Sequence, residues 1–300
     1  MASAENAITA ASPPWKLKAT VYSFMMYVSA KHARVLSSGK AFLYSPLEAT
    51  SPFAKDKLVG GLGMVQVIRY SESPVGPYDE LLIIPGAFEY DVEVDKKGKT
   101  DFAKKKNLRI TKIYVSQKKT CWNGRINWNI PKHLARFSFT NLPNGAIAIA
   151  VYPNDRNGSP SESTSSSTPI FSAIYKQMSY LPSFPISTGL AKYVGLDISL
   201  VQPPLPEGKG SVTELPGTQK WCHSLPLEYS QKTSLGWWDL KQGEADEEEP
   251  LLERPDGLVN EGKSSYENFW PGMGRWRIGI MMEDATIEFP EGRYWDGPEI

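Results

Sequence analysis

A lysine directly after a proline is the first residue of this sequence whose type and setting could do chemistry. Lys132 lies in "NGRINWNIPKHLARF" (123–137), close in sequence to apolar residues. Pro131 fixes its own φ at about −65°, so Lys132 leaves the turn in a set direction. An apolar setting disfavours the ammonium form of a lysine, and the free amine is a nucleophile that can attack a carbonyl group.

A second segment, "RYSESPVGPYDELLIIPG" (69–86), supplies a glutamate and a tyrosine. In a strand that follows the "SPVGP" turn, Tyr78 and Glu80 point to one face together with Leu82. An apolar face points to an interior, where a glutamate is seldom buried without a partner. On spacing alone, the ordinary alternatives are an edge glutamate in water and a lysine at 132 whose stem is buried and whose ammonium is wet.

Short alternating segments bounded by turn residues surround both motifs and predict the elements that position them. β-Branched and aromatic residues recur with a period of two, and there are 24 glycines and 24 prolines. The pattern predicts a mainly β (α+β) protein with an antiparallel sheet that is closed or double-layered, because exposed sheet edges must be covered. A short helix is predicted near 51–58. The predicted strands cover 19–28, 63–70, 80–86, 109–117, 134–141, 146–152, 170–178 and 275–283.

Two segments interrupt this pattern and are predicted to be flexible insertions in a single domain that covers 1–300. The segment 154–169 is rich in Ser and Thr, so it lacks the apolar surface needed for order. The segment 241–263 contains an acidic run whose like charges repel.

The composition excludes several classes of protein. Lys+Arg and Asp+Glu both number 33, and a chain without a positive excess is a poor candidate for binding nucleic acid or an anionic membrane. Two cysteines are too few for a disulfide scaffold, and no signal peptide is recognised, which predicts a cytoplasmic protein. Three histidines without chelating spacing predict no metal site, and no cofactor is expected. We expect a small-molecule substrate as the partner and allow for a homo-oligomer.

Taken together, the two motifs resemble the acetoacetate decarboxylase superfamily, and most closely its fungal branch. The family's active-site segment reads roughly Gly-Arg-Glu, four residues, then Pro-Lys-Lys-Leu, and its upstream element reads Gly-x-Tyr-x-Glu. The likeness covers about residues 14–152. The matching residues are Gly124, Arg125, Pro131, Lys132 and Leu134 in the first element, and Gly76, Tyr78 and Glu80 in the second.

The resemblance implies a closed antiparallel β scaffold around a central cavity and a lysine that forms a Schiff base. In the family, the iminium withdraws electrons while carbon dioxide leaves, and the lysine needs a lowered pKa, which Trp128, Ile130 and Phe137 could supply by desolvation. This sequence departs from the family pattern at three positions. His133 replaces a second lysine, Ile126 replaces a glutamate, and Gln66 replaces an acidic residue, so a larger or less charged substrate than acetoacetate is expected.

We therefore expect an enzyme, a lyase of the decarboxylase type, that acts on a keto-bearing small molecule such as a fungal secondary metabolite. Its chemistry would be decarboxylation or a related aldol or dehydration reaction. The predicted catalytic residues are Lys132 and Glu80, and the predicted substrate-binding residues are Tyr78, Arg125, His133, Gln66 and Trp128.

Two alternatives stay open: a cavity-templated cyclase or isomerase of a biosynthetic pathway without a Schiff base, and a non-catalytic small-molecule-binding protein. A buried, unpaired Lys132 near Glu80 would favour an enzyme. An exposed Lys132, or a direct ion pair that closes the cavity, would favour a binding or structural role.

Overall fold

The structure, a computed structural model, describes residues 8–38, 43–96, 99–155, 164–208, 215–240 and 274–297. Its helices are α1 (Ala30–Ser38), α2 (Lys118–Trp128) and three short 3-10 helices (Glu48–Thr50, Pro52–Lys55 and Thr188–Val194). None of the described helices is both long and apolar enough to cross a membrane.

Strands make up most of the described fold. In chain order they are β1 (Trp15–Val28), β2 (Lys57–Glu72), β3 (Tyr78–Ile84), β4 (Ala87–Lys96), β5 (Lys99–Leu108), β6 (Lys112–Val115), β7 (Lys132–Asn141), β8 (Ile147–Pro153), β9 (Phe171–Gln177), β10 (Phe184–Ser187), β11 (Leu200–Gln202), β12 (Trp221–Ser224), β13 (Leu227–Asp239), β14 (Gly274–Phe289) and β15 (Arg293–Trp295).

Nine of the described strands form a closed barrel in the order β1-β14-β13-β9-β8-β7-β6-β3-β2, and β2 pairs with β1 again. Closure leaves no unpaired edge in this ring. Neighbouring barrel strands are antiparallel except β6 and β7, which are parallel because α2 carries the chain back between them. This β6-α2-β7 unit contains Lys132 at the first position of β7.

Alternation along the strands creates two apolar cores on the two faces of the sheet. The first core takes residues from all nine barrel strands, including Leu81, Val67 and Ala135, so it fills the barrel. The second core lies on the opposite face and takes residues from β1, β2, β3, β6, β7 and β14, together with α2, β11 and β12. Tyr78 and Leu134 belong to this second core, which therefore also receives the side chains of Glu80 and Lys132.

A smaller sheet flanks the barrel and covers part of the second core. It contains β4, β5, β11, β12 and β15, and β4 joins it to the barrel through the beginning of β2. A third cluster lies here, formed by Tyr90, Val201 and Trp221.

The structure confirms the mainly β fold and all eight predicted strands, with changed bounds. The segment 109–117 is strand only at 112–115, and the helix predicted near 51–58 is the 3-10 helix Pro52–Lys55. The β4–β5 hairpin, β10 to β13, β15 and both α-helices were not predicted. The segment 241–263 and the part 156–163 of the other predicted insertion lie outside the described residues, so those predictions stay open.

Candidate functional site

Strand register brings the predicted catalytic pair together although the two residues are distant in sequence. On β6, Ile113 pairs with Leu82 of β3 on one side and with Lys132 of β7 on the other. Glu80 lies two residues before Leu82 on the same face, so its carboxylate faces the lysine. The distance from Lys132 Nζ to Glu80 Oε2 is 2.7 Å, and both side chains are buried.

Helix α2 supplies the next contacts of Lys132. The ammonium donates to Thr120 Oγ1 at 3.0 Å, and Cys121 Sγ donates to the backbone carbonyl of Lys132 at 3.1 Å. Gly124 lets the lysine stem lie against the helix, because a Cβ at this position would come within 2.7 Å of Lys132 Cδ and Cε. The glycine of the motif thus has a steric role that spacing alone did not reveal.

The end of α2 determines how the chain enters β7. Asn129 caps the helix in the left-handed region with φ of 54°, and its side-chain amide donates to the carbonyls of Pro203 and Lys220. Pro131 then ends the helical path, and Lys132 begins the strand. The local sequence therefore fixes the lysine at a strand start, as its phase with Leu134 predicted.

Two stacked tyrosines form one wall beside the ion pair. Tyr70 and Tyr78 pair across β2 and β3, and their ring centroids are 4.3 Å apart. Tyr70 Oη donates to Glu80 Oε1 at 3.1 Å, and Lys132 Nζ lies 5.2 Å from the centre of the Tyr78 ring. Burial raises the pKa of Tyr78 to about 12, although the Lys132 ammonium opposes this shift. Both phenols are therefore neutral hydrogen-bonding groups at pH 7.

The β2–β3 turn holds this wall against α2. Gly76 adopts φ of 90°, which favours glycine, and the Gln117 side chain at the start of α2 donates to the carbonyls of Val75 and Pro77. These contacts explain why the Gly-x-Tyr-x-Glu element and the lysine element meet.

The electrostatics of Lys132 differ from the expectation of a lowered pKa. Burial alone would lower the pKa of this lysine, but the Glu80 carboxylate and Tyr78 outweigh burial and raise it. Burial does desolvate Lys132, but Phe137, one of the residues predicted to supply this effect, packs against the first core on the opposite face, and the ion pair decides the direction. At neutral pH Lys132 is an ammonium paired with Glu80.

A second carboxyl group, which the sequence analysis did not identify, lies near this pair. Glu228 Oε2 accepts a hydrogen bond from Gln66 Nε2 at 3.0 Å, and Glu228 is electrostatically coupled to Glu80. Because β1 and β14 separate β13 from β2 in the sheet, this bond shows that the sheet curves over the second core. Gln66 lies where the resemblance led us to expect a carboxylate, and the structure brings the Glu228 carboxyl group to its amide. No spacing in the sequence pointed to Glu228.

Arg125 and His133 do not reach the Lys132 ammonium. Arg125 Nη1 lies 2.9 Å from Glu48 Oε1, and His133 Nε2 lies 2.6 Å from Glu48 Oε2, with all three side chains buried. His133 follows Lys132 on a strand, so its ring points to the opposite face. The structure therefore places His133, which stands where the family has a second lysine, beside Glu48 and away from the Lys132 amine.

Arg125 holds backbone instead of reaching the ion pair. Its guanidinium donates to the carbonyls of Pro206 and Pro216 at 2.8 and 3.1 Å, and Nη1 also lies 3.4 Å from the carbonyl of Lys132. The Glu48 cluster, defined as Glu48, Arg125 and His133, thus supports the strand that carries the lysine.

Trp128 lies in the second core without a described contact to Lys132 Nζ. Its ring makes an edge contact with Trp15 at 5.1 Å and packs at the same centroid distance from Phe289, while Nε1 donates to the carbonyl of Pro290. Of the predicted substrate-binding residues, the structure places Tyr78 beside the ion pair. It places Gln66 in a hydrogen bond with Glu228, which interacts electrostatically with Glu80. It places Arg125, His133 and Trp128 in other contacts.

A small cleft opens on the other side of Pro131. Its lining includes Tyr44, Glu48, Arg109 and Gln202, but neither Lys132 nor Glu80. The cleft therefore adjoins the Glu48 cluster, whereas the catalytic chemistry expected of Lys132 belongs to the enclosed ion pair. Among the described residues, no group of three or more His, Cys, Asp or Glu residues could hold a metal ion.

Comparisons with known proteins bear on the fold. No protein-family model and no curated protein sequence matches the chain. The structure of acetoacetate decarboxylase from Legionella pneumophila matches with a TM-score of 0.53 at 12% identity, covering 99% of this chain and 93% of that chain. A second acetoacetate decarboxylase structure matches with a TM-score of 0.53 at 10% identity, covering 97% of this chain and 93% of that chain. The chain therefore has the fold of the acetoacetate decarboxylases, and the predicted fold class is confirmed.

Proposed function

We propose that this chain is an enzyme that acts on a keto-bearing small molecule through a Schiff base on Lys132. The observation that carries the proposal is the burial of the Lys132 side chain at the start of β7, where its amine lies 3.0 Å from Thr120 Oγ1 of α2. The lysine stem lies against a helix position that only glycine leaves open. The fold shared with acetoacetate decarboxylases supports a related function.

The ion pair provides a route to the free amine. The ammonium must lose one proton before it can attack, and Glu80 is the nearest group able to accept it. The nitrogen lone pair then forms a bond to the carbonyl carbon, and loss of water leaves an iminium. If the substrate carries a carboxylate on the carbon next to the iminium carbon, carbon dioxide departs and its bonding electrons form an enamine.

The surroundings of Nζ favour a substrate with little negative charge. Nζ contacts Glu80, Thr120 and the Tyr78 ring, none of which is a cation, and Arg125 is bound to Glu48. An anionic group would therefore face the Glu80 carboxylate until the iminium forms. This supports a keto compound with less negative charge than acetoacetate and leaves aldol and dehydration chemistry available beside decarboxylation. A larger substrate, such as a fungal secondary metabolite, is part of the proposal through the resemblance alone.

The test is reductive trapping. The protein is incubated with a panel of methyl ketones and β-keto acids, treated with sodium borohydride and digested, and the peptide that contains Lys132 is identified by mass spectrometry. We expect an adduct of the ketone mass on Lys132 in the wild type and none in Lys132→Arg, because a guanidinium stays protonated and cannot form the imine. The matched control is Lys16→Arg, since Lys16 is exposed and bound to Glu288.

A second candidate function is small-molecule binding without chemistry, and the direct Lys132–Glu80 ion pair favours it. A ligand that raises the unfolding temperature equally in the wild type and in Lys132→Arg, with no adduct in either, would support this alternative and contradict the Schiff base. Turnover of a substrate without a borohydride-trapped adduct on Lys132 would support the cyclase or isomerase alternative.

A further inference from the structure

Glu228 is the titratable group near the ion pair that the proposed function does not yet use. It lies in the second position of β13, where its backbone N–H donates to Thr188 Oγ1 at 2.8 Å and its carbonyl accepts from the same hydroxyl at 3.4 Å. This backbone clamp fixes the start of the strand. The side chain extends to Gln66 of β2, with 3.0 Å between Gln66 Nε2 and Glu228 Oε2.

Glu228 and Glu80 are two carboxyl groups in unequal settings. Glu80 has Lys132 as a direct cationic partner, whereas the amide of Gln66 is the hydrogen-bond donor to Glu228. Two neighbouring carboxyl groups do not ionise equally when one cation compensates only one of them. Such a pair divides the roles of ionised partner and proton carrier.

We propose that Glu228 is the group that donates a proton to carbon in this site, while Glu80 is the partner of Lys132 and exchanges a proton only with its amine. The inference rests on the proposed Schiff-base function. In the step that follows loss of carbon dioxide, the electron pair of the enamine forms a C–H bond with the Glu228 proton. The O–H bond of Glu228 breaks, the iminium on Lys132 is restored, and Glu228 is left as a carboxylate. Water then hydrolyses the iminium, and solvent returns a proton to Glu228.

The position of Glu228 suits exchange of protons with solvent. Gln66 and Glu80 are buried, whereas Glu228 keeps partial exposure. The groups that act electrostatically on it are Glu80, which disfavours its ionised form, and Gln66, whose hydrogen bond favours that form. Tyr70, which donates to Glu80, also experiences the charge of Glu228.

The titration of Glu228 agrees with this assignment. The pKa of Glu228 is raised to about 7. Burial is the largest cause and the Glu80 carboxylate adds to it, while the Gln66 hydrogen bond acts in the opposite direction. A group with a pKa near the working pH is present in both forms and can give and take protons repeatedly.

The experiment follows exchange of the methyl hydrogens of acetone with deuterium oxide by proton NMR, in the full-length protein. This exchange needs the iminium, a base that removes a proton from carbon, and an acid that returns deuterium. Because the same carboxylate removes and returns the proton, the rate should rise with pH through about 7. Glu228→Gln should slow exchange by about 100- to 10,000-fold. Borohydride trapping of acetone on Lys132 should stay within about twofold.

Two further variants make the test specific. Gln66→Leu removes a hydrogen bond that lowers the pKa of Glu228, so the rising limb of the exchange profile should move to higher pH. Glu288→Gln is the matched control, because Glu288 is an exposed glutamate on β14. This variant should exchange the acetone hydrogens at the wild-type rate.

The possible results separate the two proposals. If the wild type forms no adduct on Lys132, the proposed function fails and this inference fails with it. If the adduct forms but Glu228→Gln exchanges acetone within about threefold of the wild-type rate, only the role of Glu228 is overturned. Loss of both exchange and adduct in a folded Glu228→Gln protein would also overturn it, because Glu228 would then position the site instead of carrying its proton.

Discussion

Replacing Glu80 by glutamine should reverse the pH dependence of the stability that Lys132 contributes. In the wild type, Glu80 and Tyr78 raise the pKa of Lys132 despite burial, so this stability is present below the unfolded lysine pKa of about 10.4 and is lost as pH rises through the folded pKa. Without Glu80, burial dominates and lowers the pKa of Lys132. The folded variant then prefers the neutral amine, so its stability should increase with pH.

The size of the effect follows from the geometry of the pair. Two unit charges about 3 Å apart attract by about 5–6 kcal/mol at an effective dielectric constant of about 20. Part of this attraction offsets the cost of burying both charges, and removing one partner from a buried pair costs about 3–5 kcal/mol. The side chains are 6% and 3% exposed, so solvent screens the pair little. We expect Glu80→Gln to lose about 3–5 kcal/mol of unfolding free energy at pH 7.

Urea unfolding followed by circular dichroism between pH 7 and 9.5 measures this effect. The deficit of Glu80→Gln relative to the wild type should narrow as pH rises, and Glu80→Leu combined with Lys132→Met should recover most of the stability, because it removes both charges. Glu288→Gln, which breaks an exposed pair with Lys16, should cost no more than about 1 kcal/mol. A Glu80→Gln deficit below about 1 kcal/mol, or one that stays constant with pH, would refute the argument.

Two other predictions test the support of the lysine. Gly124→Ala places a methyl group 2.7 Å from Cδ and Cε of Lys132. It should displace Nζ and reduce borohydride trapping at least tenfold, while circular dichroism shows a folded protein, and undiminished trapping would mean that the stem has room. Glu48→Gln should cost about 3–5 kcal/mol in urea unfolding at pH 7, because it leaves Arg125 and His133 without their carboxylate. Burial would raise the pKa of Glu48, but His133 and Arg125 lower it overall. The wild-type advantage should therefore begin to decline as pH falls below about 4 and be lost through the lower folded pKa, and an advantage that does not decline below pH 4 would contradict the assigned role of Glu48.

The sequence was sufficient to predict the parts of the fold that depend on local alternation. The two-residue period of a strand correctly placed Lys132 on the face of Leu134 in β7 and Glu80 on the face of Leu82 in β3. The charged β4–β5 hairpin was missed because one of its faces is largely solvated, so apolar alternation is weak. Helix α2 was missed because its sequence, "KKTCWNGRINW", lacks the apolar stripe that marks an amphipathic helix.

The candidate site was predictable only where its residues belong to the two motifs that resemble one family. The resemblance of their two segments to one family brought Glu80 and Lys132 together. It gave no indication of Glu228, which reaches Gln66 only because the sheet curves across β1 and β14. The ionisation of Lys132 depends on a distance of 2.7 Å that no spacing in sequence encodes. Desolvation was expected to lower the pKa of Lys132, but the ion pair with Glu80 outweighs burial and raises that pKa.

The closing seam of the barrel has a consequence for biosynthesis on the ribosome. Trp15 of β1 pairs with Phe289 of β14, so the ring cannot close until β14 has emerged from the exit tunnel. The Glu80–Lys132 pair needs only β3, β6 and β7 with the helix between β6 and β7, all of which are synthesised much earlier. The strands that carry Glu80 and Lys132 therefore leave the ribosome well before β13, which carries Glu228, and β14. Until then one edge of β1 has no partner strand. Several ribosomes translate the same message, so copies of this edge lie close together, and pairing between two such chains competes with closure of the ring.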